Sequence, residues 1–209
     1  MKIVAPLIAI SFLSLSSNAH ASEPIQVLQM KGSATEIVGN TVYHLKVGSK
    51  LHANSHLKTA ADSMLIMSLG KDVVTKLAAD TRATVSIIRK KDWQLKLERG
   101  ITASAIRNPE KRPNHFQVVN RGVVMGVRGT VFYTENLEHK PAFLCTCKGT
   151  VVVETEKGKQ LDSITATHHD RPITLEEYGK ELLVKTAPMG NGHSDADVTY
   201  LENLLTQLN

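Results

Sequence analysis

Turn-forming residues interrupt this chain about every 8–12 positions, and short runs of alternating apolar and polar side chains lie between them. The runs cover 25–30, 41–47, 64–69, 73–77, 84–88, 94–97, 101–106, 116–119, 123–127, 131–134, 142–147, 150–154 and 163–167. They are rich in Val, Ile and Thr, which fit a pleated, half-buried surface. Helical periodicity is nearly absent before residue 175. Strands that follow one another without helical crossovers exclude a doubly wound α/β design. The pattern predicts an all-β fold, an antiparallel β-sandwich or a rolled half-barrel of short strands.

The C-terminal end reads differently. Residues 187–192 (Ala-Pro-Met-Gly-Asn-Gly) form a connector. Ser194 then offers an N-cap, with Asp195 and Asp197 in the first turn, where the helix dipole favours negative charge. Val198, Leu201, Leu204, Leu205 and Leu208 recur at helical spacing, which predicts one C-terminal amphipathic helix of about 13 residues. A helix that short is marginal alone and must dock. A weaker helical signal lies near 175–183.

The first residues are expected to be removed. Lys2, the apolar run 3–15 and Ala19-His20-Ala21 have the anatomy of a cleaved secretory signal. The expected division is 1–21 signal peptide, 22–185 β-domain and 186–209 connector and helix. No later apolar stretch is long enough to span a bilayer, and the expected location is the periplasm. The net charge of +5 falls to +4 without Lys2, and charges of both signs are scattered. The densest basic clusters are Arg89-Lys90-Lys91 and Arg107 with Lys111-Arg112. With aromatics at 4%, those clusters lack the stacking platforms of a nucleic-acid face, so no nucleic-acid partner is expected.

One stretch carries a family resemblance. Gly126-Val127-Arg128-Gly129-Thr130-Val131-Phe132 resembles the hallmark of FecR-like domains. Gly32-Ser33-Ala34, Val47-Gly48-x-x-Leu51 and Leu57-Lys58-Thr59 look like that family's opening. Leu69-Gly70-Lys71-Asp72, the run 95–100 and Lys148-Gly149-Thr150-Val151-Val152-Val153 fall where it has hairpins. The resemblance covers about 27–165. It implies an all-β periplasmic domain used in ligand or protein sensing without catalysis, with an envelope protein as partner. The best-known members are transmembrane anti-sigma regulators of iron-siderophore uptake. This chain departs from them with its cleavable signal, with no evident docking domain after the β-domain, and with an unusual set of cysteines and histidines.

That set begins with the chain's two cysteines, Cys145 and Cys147, in the strand run 142–147. Side chains at i and i+2 share one face, with Cβ atoms about 6.5–7 Å apart. A relaxed disulfide needs about 4 Å. Two thiolates at that spacing instead suit one shared metal ion. His168 and His169 close the run 163–167, in the place where FecR-like domains have a Gly-polar turn. A regular strand presents one of them to the cysteines, and a bend at Asp170-Arg171-Pro172 presents both. His193 at the connector is a third histidine candidate, with Met189 nearby. Thiolates with imidazoles fit zinc, copper or iron. The candidate metal ligands are therefore Cys145, Cys147, His168, His169 and His193.

Each of these residues also has a structural explanation when taken singly. Strand cysteines serve as buried hydrophobes, His-His as a polar turn, and His193 as a surface residue beside a cap. With the metal or metallo-cofactor site, the expected function is a periplasmic FecR-like sensor, carrier or accessory binding protein. The competing function is a non-catalytic scaffold that binds protein or envelope polymer and has structural cysteines. A third option is a cysteine-dependent enzyme with Asp170 orienting a histidine. It has little support, since G-x-S-x-G, H-E-x-x-H and paired carboxylates are absent from the sequence.

Overall fold

The computed structural model describes residues 24–89, 92–107, 115–178, 181–190 and 192–208. The expected signal peptide at 1–21 and the basic residues Lys90, Lys91, Lys111 and Arg112 lie outside the described residues.

The described chain opens with β1 (Ile25–Lys31), β2 (Ala34–Val38), β3 (Thr41–His44), β4 (Lys50–Leu51) and β5 (Ser55–Thr59). It continues through β6 (Met64–Leu69), β7 (Val73–Leu77), β8 (Arg82–Arg89), β9 (Asp92–Ile106) and β10 (Phe116–Asn120). Next come β11 (Val123–Asn136), β12 (Ala142–Thr155), β13 (Gln160–Ala166), β14 (Ile173–Tyr178), β15 (Glu181–Thr186) and the helix α1 (Asp195–Thr206). Hydrogen bonds join the strands into one sheet that rolls into a small closed barrel, with further strands bonded outside it. Among the described residues no helix is long and apolar enough to cross a membrane.

Six of the expected short strands prove to be three long ones. The runs 94–97 and 101–106 are a single bent strand, β9, and the same holds for 123–127 with 131–134 in β11 and 142–147 with 150–154 in β12. A glycine stands at each bend. Gly100 has φ 100°, and a Cβ there would lie 2.4 Å from Thr81 Oγ1. Gly149 has φ 90°, and its Cβ would lie 2.4 Å from the Gly129 carbonyl oxygen. These glycines read as turns in the sequence because turns and strand bends need the same two properties, positive φ and close backbone approach.

The bends let one strand serve two sets of neighbours. The first half of β9 pairs with β8 and β10, and its second half pairs with β7 and β11. β11 pairs with β10 through its first half and with β9 through its second. This exchange of partners closes the barrel. It also makes one pairing parallel, with Phe116 opposite Trp93, where uniformly antiparallel strands were expected.

Each bend also reverses which side chains face inward. In β9, Trp93, Leu95 and Leu97 enter the barrel core before the bend, whereas Ile106 does so after it. In β11 the inward residues are Val123, Met125 and Val127, then Phe132. In β12 they are Ala142 and Leu144, then Val151 and Val153. One extra residue in a strand shifts its side-chain phase by one, which moves alternate positions to the other face. At the hallmark stretch the pairing of β11 with β12 slips between Arg128 and Val131. The Thr130 hydroxyl there donates to the Thr150 carbonyl at 2.9 Å and accepts from the Thr150 N–H at 3.1 Å.

A second apolar cluster lies on the outer face. It joins Ile66, Val74, Ala103, Ala105, Val131, Tyr133, Phe143, Cys145 and Cys147 to Leu201, Leu204 and Leu205 of α1. The helix begins at the expected cap, with Ser194 and Asp197 forming a capping box. It lies across β7, β9 and β11. Each of its three buried leucines contributes about 1.5–3 kcal/mol of transfer free energy, which a 12-residue helix needs in order to stay folded. Lys76 reaches Asp197 at 2.8 Å and Lys148 reaches Glu202 at 2.8 Å, which sets the helix orientation.

The helical turn expected near 175–183 is corrected to a hairpin. β14 and β15 pair there, and β14 adds to β12 with Leu175 opposite Ala142. Ile173 and Leu175 enter the core on a period of two, and that burial outweighs the weak helical spacing.

Candidate functional site

β12 supplies the floor of the site. Phe143, Cys145 and Cys147 project outward, under the N-terminal end of α1 and the connector before it. Both cysteines are buried free thiols. Tyr133 on β11 stands directly opposite Cys145, with Ala103 of β9 on its other side.

His169 is placed by a tight bend after β13. The Asp170 carboxylate accepts from the Thr167 N–H at 2.6 Å, from the Thr167 hydroxyl at 3.0 Å and from the His168 N–H at 3.3 Å. Those hydrogen bonds hold the Asp170 carboxyl below its usual range. His169 takes φ 50°, and its N–H donates to the Cys147 carbonyl at 3.1 Å. The chain thereby turns His169 back over β12, and its side chain is only 8% exposed. His168 stays outside, 71% exposed.

His193 arrives with the connector. The Ala187 N–H donates to the Pro172 carbonyl at 2.9 Å, which fastens the connector beside the His169 bend. Gly190 lies against the Phe143 ring, and a Cβ on Gly192 would fall 1.8 Å from the Tyr133 hydroxyl, so no other side chain fits there. The His193 ring stacks on Tyr133 at 4.1 Å between centroids and 18° between planes. The Tyr133 hydroxyl donates to Glu135 Oε1 at 2.5 Å. Burial, then Glu135, pushes the Tyr133 phenol well above its usual range, so it remains a proton donor.

Four donors converge as a result. Ligand atoms of Cys145, Cys147, His169 and His193 all lie within 4.8 Å of one another. His169 Nδ1 is 3.3 Å from Cys145 Sγ and 3.2 Å from His193 Nε2. A zinc tetrahedron with bonds of about 2.3 Å to sulfur and 2.0 Å to nitrogen has edges of about 3.3–3.8 Å. Hydrogen bonding with the Cys147 thiol is the main influence lowering the Cys145 pKa. Burial opposes it, and the imidazoles of His193 and His169 add to the lowering. The same pairing, together with burial, pushes the Cys147 thiol up. Of the two thiols Cys145 is the one held lower and Cys147 the one held higher, because two negative charges side by side repel.

Among the sequence candidates, the structure brings Cys145, Cys147, His169 and His193 together and leaves His168 outside this set. Met189 is 44% exposed. Asp170 serves the backbone of its own turn and is not the orienter of the histidine. That position falls to Asp195, whose Oδ1 is 3.2 Å from His169 Nε2. Sequence reasoning assigned Asp195 only to the first turn of the helix. Tyr133 went unnoticed, because nothing in the sequence shows that β11 and the connector meet.

The sequence profile of the FecR protein family matches residues 55–159, half of the chain. The chain belongs to the FecR protein family. The matched segment includes both cysteines, whereas the three candidate histidines lie beyond it. No curated protein matches the chain. Two crystal structures described as a "putative anti-sigma factor" from Parabacteroides distasonis ATCC 8503, at 2.50 and 1.65 Å resolution, are similar to part of it. Each shares 16% identity at a TM-score of 0.49, over 63% of this chain and 59% of that one. The chain thus spans less than two thirds of those proteins, and a likeness this distant carries no functional argument.

Proposed function

We propose that this FecR-family protein is an exported, periplasmic sensor or accessory binding protein that holds one transition-metal ion through Cys145, Cys147, His169 and His193. The observation that carries this reading is the convergence of two sulfurs and two imidazole nitrogens within 4.8 Å from three separate parts of the chain. FecR-family membership supports a regulatory role exercised on another protein, and not catalysis. Two thiolates with two imidazoles suit zinc best and copper(I) or iron(II) next.

The same donors explain how occupancy is communicated. Cys145 and Cys147 belong to the barrel, His169 to the bend after β13, and His193 to the segment that leads into α1. Ligation ties these parts together. Metal loss leaves α1 held only by its leucines, its two lysine salt bridges and its remaining polar contacts. The surface offered to an envelope partner then depends on metal.

The test is elemental analysis of protein recovered from its native compartment. About one metal equivalent per chain is expected, with loss in Cys145→Ser/Cys147→Ser while the circular dichroism of the sheet is retained. Metal at background in the parent protein under metal-replete growth would overturn the reading in favour of a scaffold with structural thiols.

A further inference from the structure

His169 belongs to two donor sets, one on each side of its ring. Its Nδ1 faces Cys145 and His193, and its Nε2 faces Asp195. Asp195 Oδ1 also lies 3.6 Å from His168 Nδ1. The His168 and His169 rings meet edge to face at 5.2 Å. Ligand atoms of His168, His169 and Asp195 again all fall within 4.8 Å of one another. The two sets differ in solvent access. His168 and Asp195 are 71% and 69% exposed, whereas Cys145 and Cys147 are buried at 0% and 3%.

We infer that His168, His169 and Asp195 form a surface loading port for a divalent cation, and that His169 passes the cation from this port to the buried thiolate site. The inference rests on the buried site proposed above and adds how metal reaches it. Two imidazoles and one carboxylate bind a borderline cation while leaving positions for water. They hold it less firmly than a set with two thiolates. The gradient therefore runs inward, from a wet nitrogen–oxygen set to a dry sulfur–nitrogen one. His169 is the one residue common to both sets, but through different nitrogens. The step breaks the cation's bonds to His169 Nε2, Asp195 and His168 and forms bonds to His169 Nδ1, Cys145, Cys147 and His193. The ring proton meanwhile passes through water from Nδ1 to Nε2, where Asp195 accepts its hydrogen bond. Zinc or cobalt(II) keeps its oxidation state throughout. Protons carried by the thiols leave to water as the sulfurs become ligands.

Such an arrangement has a kinetic signature separate from its equilibrium one. His168 takes no part in the buried set, so its loss changes how fast that set fills and not how much metal it finally holds. The experiment mixes metal-free, reduced protein with cobalt(II) and follows thiolate-to-cobalt absorption in a stopped-flow instrument. His168→Ala is expected to reach the parent's final absorbance about tenfold more slowly. In Cys145→Ser/Cys147→Ser, zinc titration is expected to show one weak site that disappears when His168→Ala is added. Equal filling rates in the parent and His168→Ala would overturn the port and leave the buried site standing. An absence of thiolate-to-cobalt absorption in the parent would overturn both.

Discussion

The barrel interior and the layer beneath α1 share the same strands but differ in chemistry. The interior cluster lies among the strands and is built of aliphatic, thioether and aromatic side chains, Leu95, Leu97, Phe116 and Phe132 beside Met67, Met125 and Trp93. The polar side chains buried on the same strands are tied to one another, Thr75 to Thr102 at 3.1 Å and to Ser104 at 2.7 Å, and Asn120 to Thr134 at 3.0 Å. The outer cluster has the sheet on one side only. A single 12-residue helix and its connector supply the other side, and the cluster includes Tyr133, Cys145 and Cys147. β12 contributes to both, with Leu144 facing in and Cys145 facing out. Reactive donors are thus placed where a small element covers them. Opening that element disturbs few contacts, and opening the barrel breaks the fold.

Substitutions on the two sides should separate these roles. The largest effect is expected for Phe132→Ala, which empties a fully buried interior position and should cost about 3–5 kcal/mol. Chemical denaturation should show the loss in one cooperative transition that includes the whole sheet. A transition confined to the α1 region would contradict the division drawn here.

Leu201→Ala removes the most buried leucine of the helix and should cost about 2–3 kcal/mol. Its expression should be local. Amide exchange in 186–208 should accelerate, while that of β10 and β11 stays near the parent's. Uniform acceleration across the barrel would show that the two layers open together.

The smallest expected effect is at the salt bridge between Lys76 and Asp197, whose side chains are 25% and 33% exposed. Burial raises the Asp197 carboxyl, but Lys76 and Ser194 more than offset it and leave the group below its usual range. A double-mutant cycle with Lys76→Met and Asp197→Asn should give a coupling of about 0.5–1 kcal/mol, read as a change in connector proteolysis. A coupling indistinguishable from zero would assign helix docking to the leucines alone.

Much of this arrangement can be read along the sequence. Alternation in 142–147 places Cys145 and Cys147 on one face, and the capping box of Ser194 and Asp197 marks where the helix begins. The outward position of that cysteine face, and its cover, are harder to see. Three glycine-linked bends reverse the side-chain phase of β9, β11 and β12, so a constant period of two assigns half of each strand to the wrong face. β14 and β15 were missed for a related reason, because their apolar residues gain meaning only beside β12. Asp195 as the partner of His169 had no sequence signal, since 26 residues separate them.

Short-range rules therefore settled most of the strand runs between 64 and 167, where α1 is capped, that the two sulfurs share a face, and which side chains have metal-binding chemistry. Backbone periodicity and local hydrogen bonding act within a few residues, so one dimension suffices to express them. The meeting of Cys145, His169 and His193, the exclusion of His168 from that meeting, and the place of Asp195 behind His169 came from chain closure. Those contacts depend on bends and docking distributed across the whole chain, and distances between remote residues exist only once the barrel has closed and the helix has settled on it.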